Sequence, residues 1–157
     1  MTGEAAVKES IWFAPFTPED VNDHHANTLA ERLGIVATEI GPDYIVAEMP
    51  IDARTVQPFR VMHGGASAVL AETLGSVGAM RTLNPRTHRC VGTELNISHL
   101  RPIMEGGVAT GRAEPVHIGR RTQVWAIHVY DERGKRTSEA RLTVFVLENP
   151  GEQDRQA

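Results

Sequence analysis

The sequence predicts an α+β fold: an antiparallel sheet of about six strands wrapped around one long central helix. Two observations carry this. The apolar patterns run in the order helix, two strands, long helix, four strands, without the strict alternation that builds a parallel sheet. The chain has 157 residues, enough for one domain with a substantial core.

Taken in order, Thr17 is an N-cap candidate. Pro18 follows at the first helical position, and Glu19 and Asp20 suit a helix N-terminus. A helix from here is expected to run to about Leu33 and stop at Gly34. IVATEI, the turn GPD and YIVAEMPI then read as a hairpin. His63 to about Leu83 reads as the long helix, about 30 Å at the usual rise. It opens on two glycines, closes before Asn84-Pro85, and carries Leu70, Leu74 and Val77 on one stripe. Gly75 and Gly78 each weaken a helix by about 1 kcal/mol, which implies a close neighbour. Four strand-like runs follow, Val91–Leu100, Val108–Val116, Gln123–Tyr130 and Thr137–Leu147, with DERGK as the turn between the last two. Residues 1–34 form an N-terminal segment of the same domain, 35–148 the domain proper, and 149–157 a flexible tail. Both outer faces of such a sheet and helix need cover, so at least a dimer is expected.

A hydrophobic fraction of 41%, a charged fraction of 23% and a net charge of −4 describe an ordinary soluble globular protein. They give no reason to expect a nucleic acid partner. No apolar run reaches the roughly 18 residues of a membrane span, and no secretory signal is visible. The single cysteine, Cys90, cannot form an internal disulfide. It sits in an apolar-alternating segment, as a structural strand residue does. A cytoplasmic location is the expectation.

The chemistry concentrates in residues 61–80, VMHGGASAVLAETLGSVGAM. Apart from His63, Glu72 is the only titratable side chain there, among small and apolar neighbours, where a carboxylate is costly to desolvate. Ser76 lies four residues on, on the same helix face, with Ala68 in the same row. The free N–H groups of Gly64 and Gly65 sit at the positive end of the helix, where they can polarise a carbonyl or hold an oxyanion. The helix thus presents one carboxylate to a carbonyl that its own N-terminal glycines polarise. On residues alone two readings stand: a solvated helix glutamate after a turn histidine, or an acyl-transfer site.

The motifs go further. QPFRVMHGGASAVLAETLGSVGAM, with NISHLRP (96–102), HIGRRTQVW (117–125) and EARLTVFVL (139–147), resembles the hotdog-fold acyl-CoA thioesterases. The similarity is to the branch of the Arthrobacter-type 4-hydroxybenzoyl-CoA thioesterase and the 1,4-dihydroxy-2-naphthoyl-CoA hydrolases, and it runs from about Gly34 to Leu147. The resemblance implies that Glu72 acts as nucleophile or general base and that the Gly64 N–H polarises the thioester carbonyl. It implies that Gln57 orients the nucleophile or water, that His63 positions the site, and that Ser76 assists the water or contacts the acyl group. It implies that Gly65 and Thr73 help bind the substrate. His99, Arg101, His117, Ile118, Gly119, Arg120 and Arg121 would hold the pantetheine and phosphates, for which guanidinium and glycine N–H groups are suited. It further implies an aromatic acyl group, no cofactor beyond the CoA of the substrate, an active site shared between two subunits, and a homotetramer built as a dimer of dimers.

Two rivals remain on this fold. A hydroxyacyl-thioester dehydratase needs a His–carboxylate acid–base pair, which the thioesterase-like spacing of His63 and Glu72 fits less well. A non-catalytic acyl-CoA sensor has no need of Glu72. His24-His25 lacks a carboxylate or cysteine at ligand spacing, so no metal is expected. No nucleophile elbow of the GxSxG type occurs.

Overall fold

A computed structural model of the protein describes residues 9–149. Two short helices, α1 (Pro18–His24) and α2 (Leu29–Leu33), lead into a hairpin of β1 (Val36–Ile40) and β2 (Ile45–Pro50). The long helix α3 (Gly64–Arg81) follows, then β3 (His88–His99), β4 (Val108–Ile118), β5 (Thr122–Tyr130) and β6 (Arg136–Glu148). All six strands form one antiparallel sheet in the order β1-β2-β4-β5-β6-β3. The sheet packs around α3, the expected architecture. β3 crosses the end of the structure to pair with β6, so it is an edge strand, 12 residues long. Of the expected tail, Asn149 is anchored by hydrogen bonds to Thr87 and Pro85; residues 150–157 lie outside the described residues. No helix among the described residues is long and apolar enough to cross a membrane.

The single N-terminal helix expected from Thr17 to Leu33 is two helices. Thr17 caps α1 with a full capping box to Asp20, the two bonds being 2.8 and 3.3 Å. The chain then breaks at Asn27, which adopts φ 62°, a left-handed turn that asparagine tolerates better than most residues. Glu31 accepts the Asn27 N–H at 2.7 Å and stabilises that turn. Gly34 ends α2 in the left-handed region, as its sequence position predicts.

α3 buries Leu70, Leu74 and Val77 against the sheet. Its two interior glycines have the close neighbours their cost implied. A β-carbon on Gly75 would lie 2.6 Å from Leu142, and one on Gly78 would lie 2.6 Å from the Trp125 ring. Trp125 in turn stacks on Trp12 at 6.2 Å between ring centroids, and the Trp12 indole N–H donates to the Gly41 carbonyl at 2.7 Å. Residues before α1 are thereby strapped over the C-terminal end of α3, where the Phe13 N–H also donates to the Arg81 carbonyl. Trp125 donates to Gln123, which donates to Thr82, so this fully buried amide joins β5 to the end of α3.

Candidate functional site

The segment entering α3 sets the site. Gln57 and Val61 close a loop through the Val61 carbonyl, Arg60 stands at φ 59°, and Arg60 pairs with Glu105. The Phe59 N–H donates to Gln57 Oε1 at 2.7 Å. A backbone N–H can only donate, so this bond fixes the amide's orientation and leaves the Gln57 NH₂ for a ligand.

His63 is the N-cap of α3. Its Nδ1 accepts the Gly65 N–H at 2.8 Å, and its carbonyl accepts the N–H groups of Ala66 and Ser67 at 2.9 and 3.3 Å. The two free glycine donors expected here are therefore reduced to one. The Gly65 N–H is taken by the cap, and the Gly64 N–H has no acceptor among the described residues. That donor stands at the positive end of an 18-residue helix.

Gln57, Gly64, His99 and Arg101 come together around a cavity of about 330 Å³, with Ser138 in its wall. His99 lies over Gly64, its Nε2 2.9 Å from where a β-carbon would sit. The other ring nitrogen, Nδ1, is 3.3 Å from Ser67 Oγ and 3.5 Å from Ser138 Oγ. Arg101 is held by donating to the Arg136 carbonyl at 2.7 Å. Phe59 (84% exposed), Leu100 and Met104 add exposed apolar side chains around this end of the molecule.

Glu72 stands apart from that cavity. It lies eight residues beyond Gly64, about 12 Å along the helix axis. The expectation that one helix presents its carboxylate to a carbonyl held by its own N-terminal glycines therefore fails on length. Glu72 is partly buried, with its carboxylate against Gly92 of the edge strand. Ser76 Oγ donates to Glu72 Oε1 at 3.4 Å, and Thr73 is half-buried beside it. The β3–β6 register shifts between Gly92 and Glu94, a bulge held by Thr93 Oγ1 donating to the Thr143 carbonyl at 3.1 Å.

His117, Ile118, Gly119, Arg120 and Arg121 form the end of β4 and its turn into β5. The Gly119 N–H donates to the Thr122 carbonyl at 3.0 Å, and a β-carbon there would lie 2.5 Å from His117 Nε2. Arg120 and Arg121 border a cavity of about 350 Å³ with His88 and Phe145, and Arg121 lies over the Phe145 ring at 5.7 Å. Ile118, Gly119 and Arg120 share a neighbouring hollow with Thr82 and Leu83 from the end of α3. Within one chain, the guanidinium pair is thus at the opposite end of α3 from Gly64.

Burial pushes the Cys90 thiol up, consistent with a strand residue rather than a nucleophile. His25 is pushed below its ordinary value by burial first and by His24 second. Among the described residues no three His, Cys, Asp or Glu side chains gather to hold a metal ion.

Three residues of this region escaped sequence reasoning. Gly92 seats the carboxylate; a lone glycine inside a strand pattern was its available signal. Ser67 and Ser138 hold His99 across the register pair His99–Ser138, and no local pattern in the sequence marks them.

Comparison with known proteins gives the family and the fold. Residues 59–138 match the Thioesterase superfamily. Over 138 residues the chain is 46% identical to the proofreading thioesterase EntH of Cronobacter sakazakii, a match covering 87% of this chain and 98% of that protein. A mutant of the thioesterase PA1618 from Pseudomonas aeruginosa superposes with a TM-score of 0.87 at 38% identity, covering 89% of this chain and 100% of that one. The thioesterase HI1161 from Haemophilus influenzae superposes with a TM-score of 0.86 at 40% identity, covering 90% and 98%.

Proposed function

Because the chain belongs to the thioesterase superfamily and has its hotdog fold, we propose that it hydrolyses an acyl-CoA thioester to the free acid and CoA, with Glu72 as nucleophile or general base. The observation that carries this reading is the Gly64 N–H, left undonated at the start of the helix that bears Glu72. A hydrogen-bond donor fixed in place where negative charge develops lowers the barrier to acyl transfer, by roughly 3 to 4 kcal/mol for one such donor. The Gly64 N–H takes the thioester oxygen, and the free Gln57 NH₂ orients the carbonyl or the water. Ser76 holds Glu72 through its Oε1. His63 acts on the site by keeping Gly65 in the helix cap.

The separation of about 12 Å between Gly64 and Glu72 along α3 supports a site shared by two chains: Gly64 and Gln57 from one, Glu72 from the other. The long unpaired edge of β3, beside which Glu72 lies, and the exposed Phe59, Leu100 and Met104 support such a pairing. Arg120 and Arg121, at the end of α3 away from Gly64, then serve the CoA phosphates of the neighbouring site, with His117, Ile118 and Gly119 shaping the turn and His99 and Arg101 near the pantetheine. Dimers of this kind pair into a homotetramer. The similarity of the HGG and Glu72 motifs to the hydroxybenzoyl and dihydroxynaphthoyl branch favours an aromatic acyl group. No cofactor beyond the CoA of the substrate enters the reaction.

The test is thiol release from a panel of aroyl-, phenylacetyl-, naphthoyl- and aliphatic CoA esters. Wild type should be fastest on an aromatic ester and Glu72→Ala inactive yet folded. Wild-type turnover by Glu72→Ala ends the assignment. Conversion of a 3-hydroxyacyl-CoA to its enoyl product without thiol release points to the dehydratase instead.

A further inference from the structure

We propose that His99 is the acid that protonates the departing thiolate. The inference rests on the thioesterase reading above and begins with one proton. Ser67 has a single hydroxyl hydrogen, and its Oγ lies 2.8 Å from the Gly64 carbonyl, which can only accept. The hydrogen therefore points to Gly64. The 3.3 Å contact between Ser67 Oγ and His99 Nδ1 is then Nδ1–H donating to the hydroxyl oxygen, because a bare Nδ1 would oppose one lone pair to another. Ser138 Oγ, at 3.5 Å, lies on the same side of the ring.

With Nδ1–H turned to Ser67, Nε2 is the nitrogen left to exchange a proton with a ligand. No described group hydrogen-bonds to Nε2, which lies over Gly64 at the cavity that also holds Gln57. In the proposed arrangement the sulfur of a thioester whose oxygen is bound by the Gly64 N–H lies on this side of the helix terminus. The other charged or titratable groups here are Arg101, tied to the Arg136 carbonyl, and His63, whose Nδ1 already holds the Gly65 N–H. Neither has the orientation of His99, whose free nitrogen is fixed by hydroxyls from both α3 and β6.

The step balances without a further reagent. Water oxygen, or the Glu72 carboxylate followed by water, bonds to the acyl carbon, and the carbon–sulfur bond breaks with its electron pair on sulfur. The Nε2 proton passes to that sulfur, giving the free thiol. On the direct route Glu72 takes a proton from the attacking water and returns it to solvent. On the covalent route water adds to the acyl carbon of the mixed anhydride, and the acyl–oxygen bond to Glu72 breaks. That releases the acid and restores the carboxylate, and the water's proton passes to solvent. The imidazole is recharged from solvent on either route.

His99→Asn tests this, since its amide can still donate to Ser67 while nothing replaces Nε2. Wild type and variant are compared on one acyl group carried by two leaving groups: CoA, and an acidic aryl thiol that departs without protonation. The expected result is a fall in kcat on the order of 10² with the CoA ester, and less than about threefold with the aryl thioester. Equal losses on both substrates overturn the proposal while leaving the thioesterase reading intact. Failure of wild type to release thiol from either substrate overturns both. Should the variant not fold, the solvent deuterium isotope effect of wild type decides. It should be larger with the CoA ester than with the aryl thioester, and equal effects reject the role of His99.

Discussion

The carboxylate of Glu72 occupies the space that a side chain at Gly92 would need, so a residue in the middle of the central helix is located by a glycine on the edge strand. A β-carbon there would overlap Glu72 Oε1 and would also touch Leu142 at 3.5 Å. Gly92→Ala should therefore cost activity more than stability. We expect kcat to fall at least about tenfold, as misplacing a reacting group by about 1 Å can cost 10²-fold, with little change in the melting temperature. Thiol-release kinetics beside a thermal melt check this.

Glu72→Asp retracts the carboxylate by one methylene from both Ser76 and the Gly92 seat. It should retain the fold and lose about 10²-fold or more in kcat. Glu72→Gln should be as inactive as Glu72→Ala, because an amide of the same shape is neither nucleophile nor base. Circular dichroism and the melting temperature establish that the variants remain folded.

A shared site has a signature in mixed assemblies. Glu72→Ala and a second inactive variant, Gly64→Val, should each be dead alone, the second because a side chain there meets His99. Unfolded and refolded together in equal amounts, they should recover about a quarter of wild-type activity, since half the dimers are mixed and each carries one intact site. Absence of recovery, with mixed dimers demonstrated by mass spectrometry, would mean that each chain builds its own site.

Gly78→Ala probes packing remote from the proposed chemistry. Its new methyl meets the Trp125 ring, which is itself held by Trp12 and by the buried Gln123, so the ring cannot retreat. Overpacking of this kind costs about 1–3 kcal/mol, offset by up to about 1 kcal/mol of helix propensity. Urea unfolding should show a net loss.

His25 gives the fold a pH dependence. Its folded value is depressed, by burial first and by His24 second, and its Nδ1 is buried without a partner among the described residues. The unfolded chain thus binds the proton more readily. Stability from this group is present above the ordinary imidazole value of about 6.5 and is lost as pH falls through it toward the folded value. His25→Gln should flatten that decline in denaturant titrations between about pH 5 and 7.

How much of this was legible depends on the range of each interaction. Local grammar marked the Thr17 cap, the Gly34 stop, the α3 boundaries and the glycine turns, because each is decided within a few residues. The split between α1 and α2 escaped because Asn27 breaks a helix-compatible pattern with one left-handed residue, fixed by a contact from Glu31. The oddity of Glu72 could be read from its neighbours, but its seat at Gly92 could not, since it arises from the crossing of β3 to the edge beside β6. Counting donors in the HGG turn required knowing that His63 folds back on Gly65. The pairing of His99 with Ser67 and Ser138 joins residues far apart in the chain, and only the sheet register reveals it.

The continuity of α3 from Gly64 to Arg81 sets a limit on how this gene can change length. Loops such as the turn at Gly134 can gain or lose residues without disturbing their neighbours. Between Gly64 and Glu72 the chain is continuous helix, and each inserted residue turns everything beyond it by about 100° and advances it by about 1.5 Å. A single insertion there would swing the carboxylate off Gly92 while leaving the Gly64 donor in place. The seven residues between Gly64 and Glu72 work as a gauge block, closed to insertion.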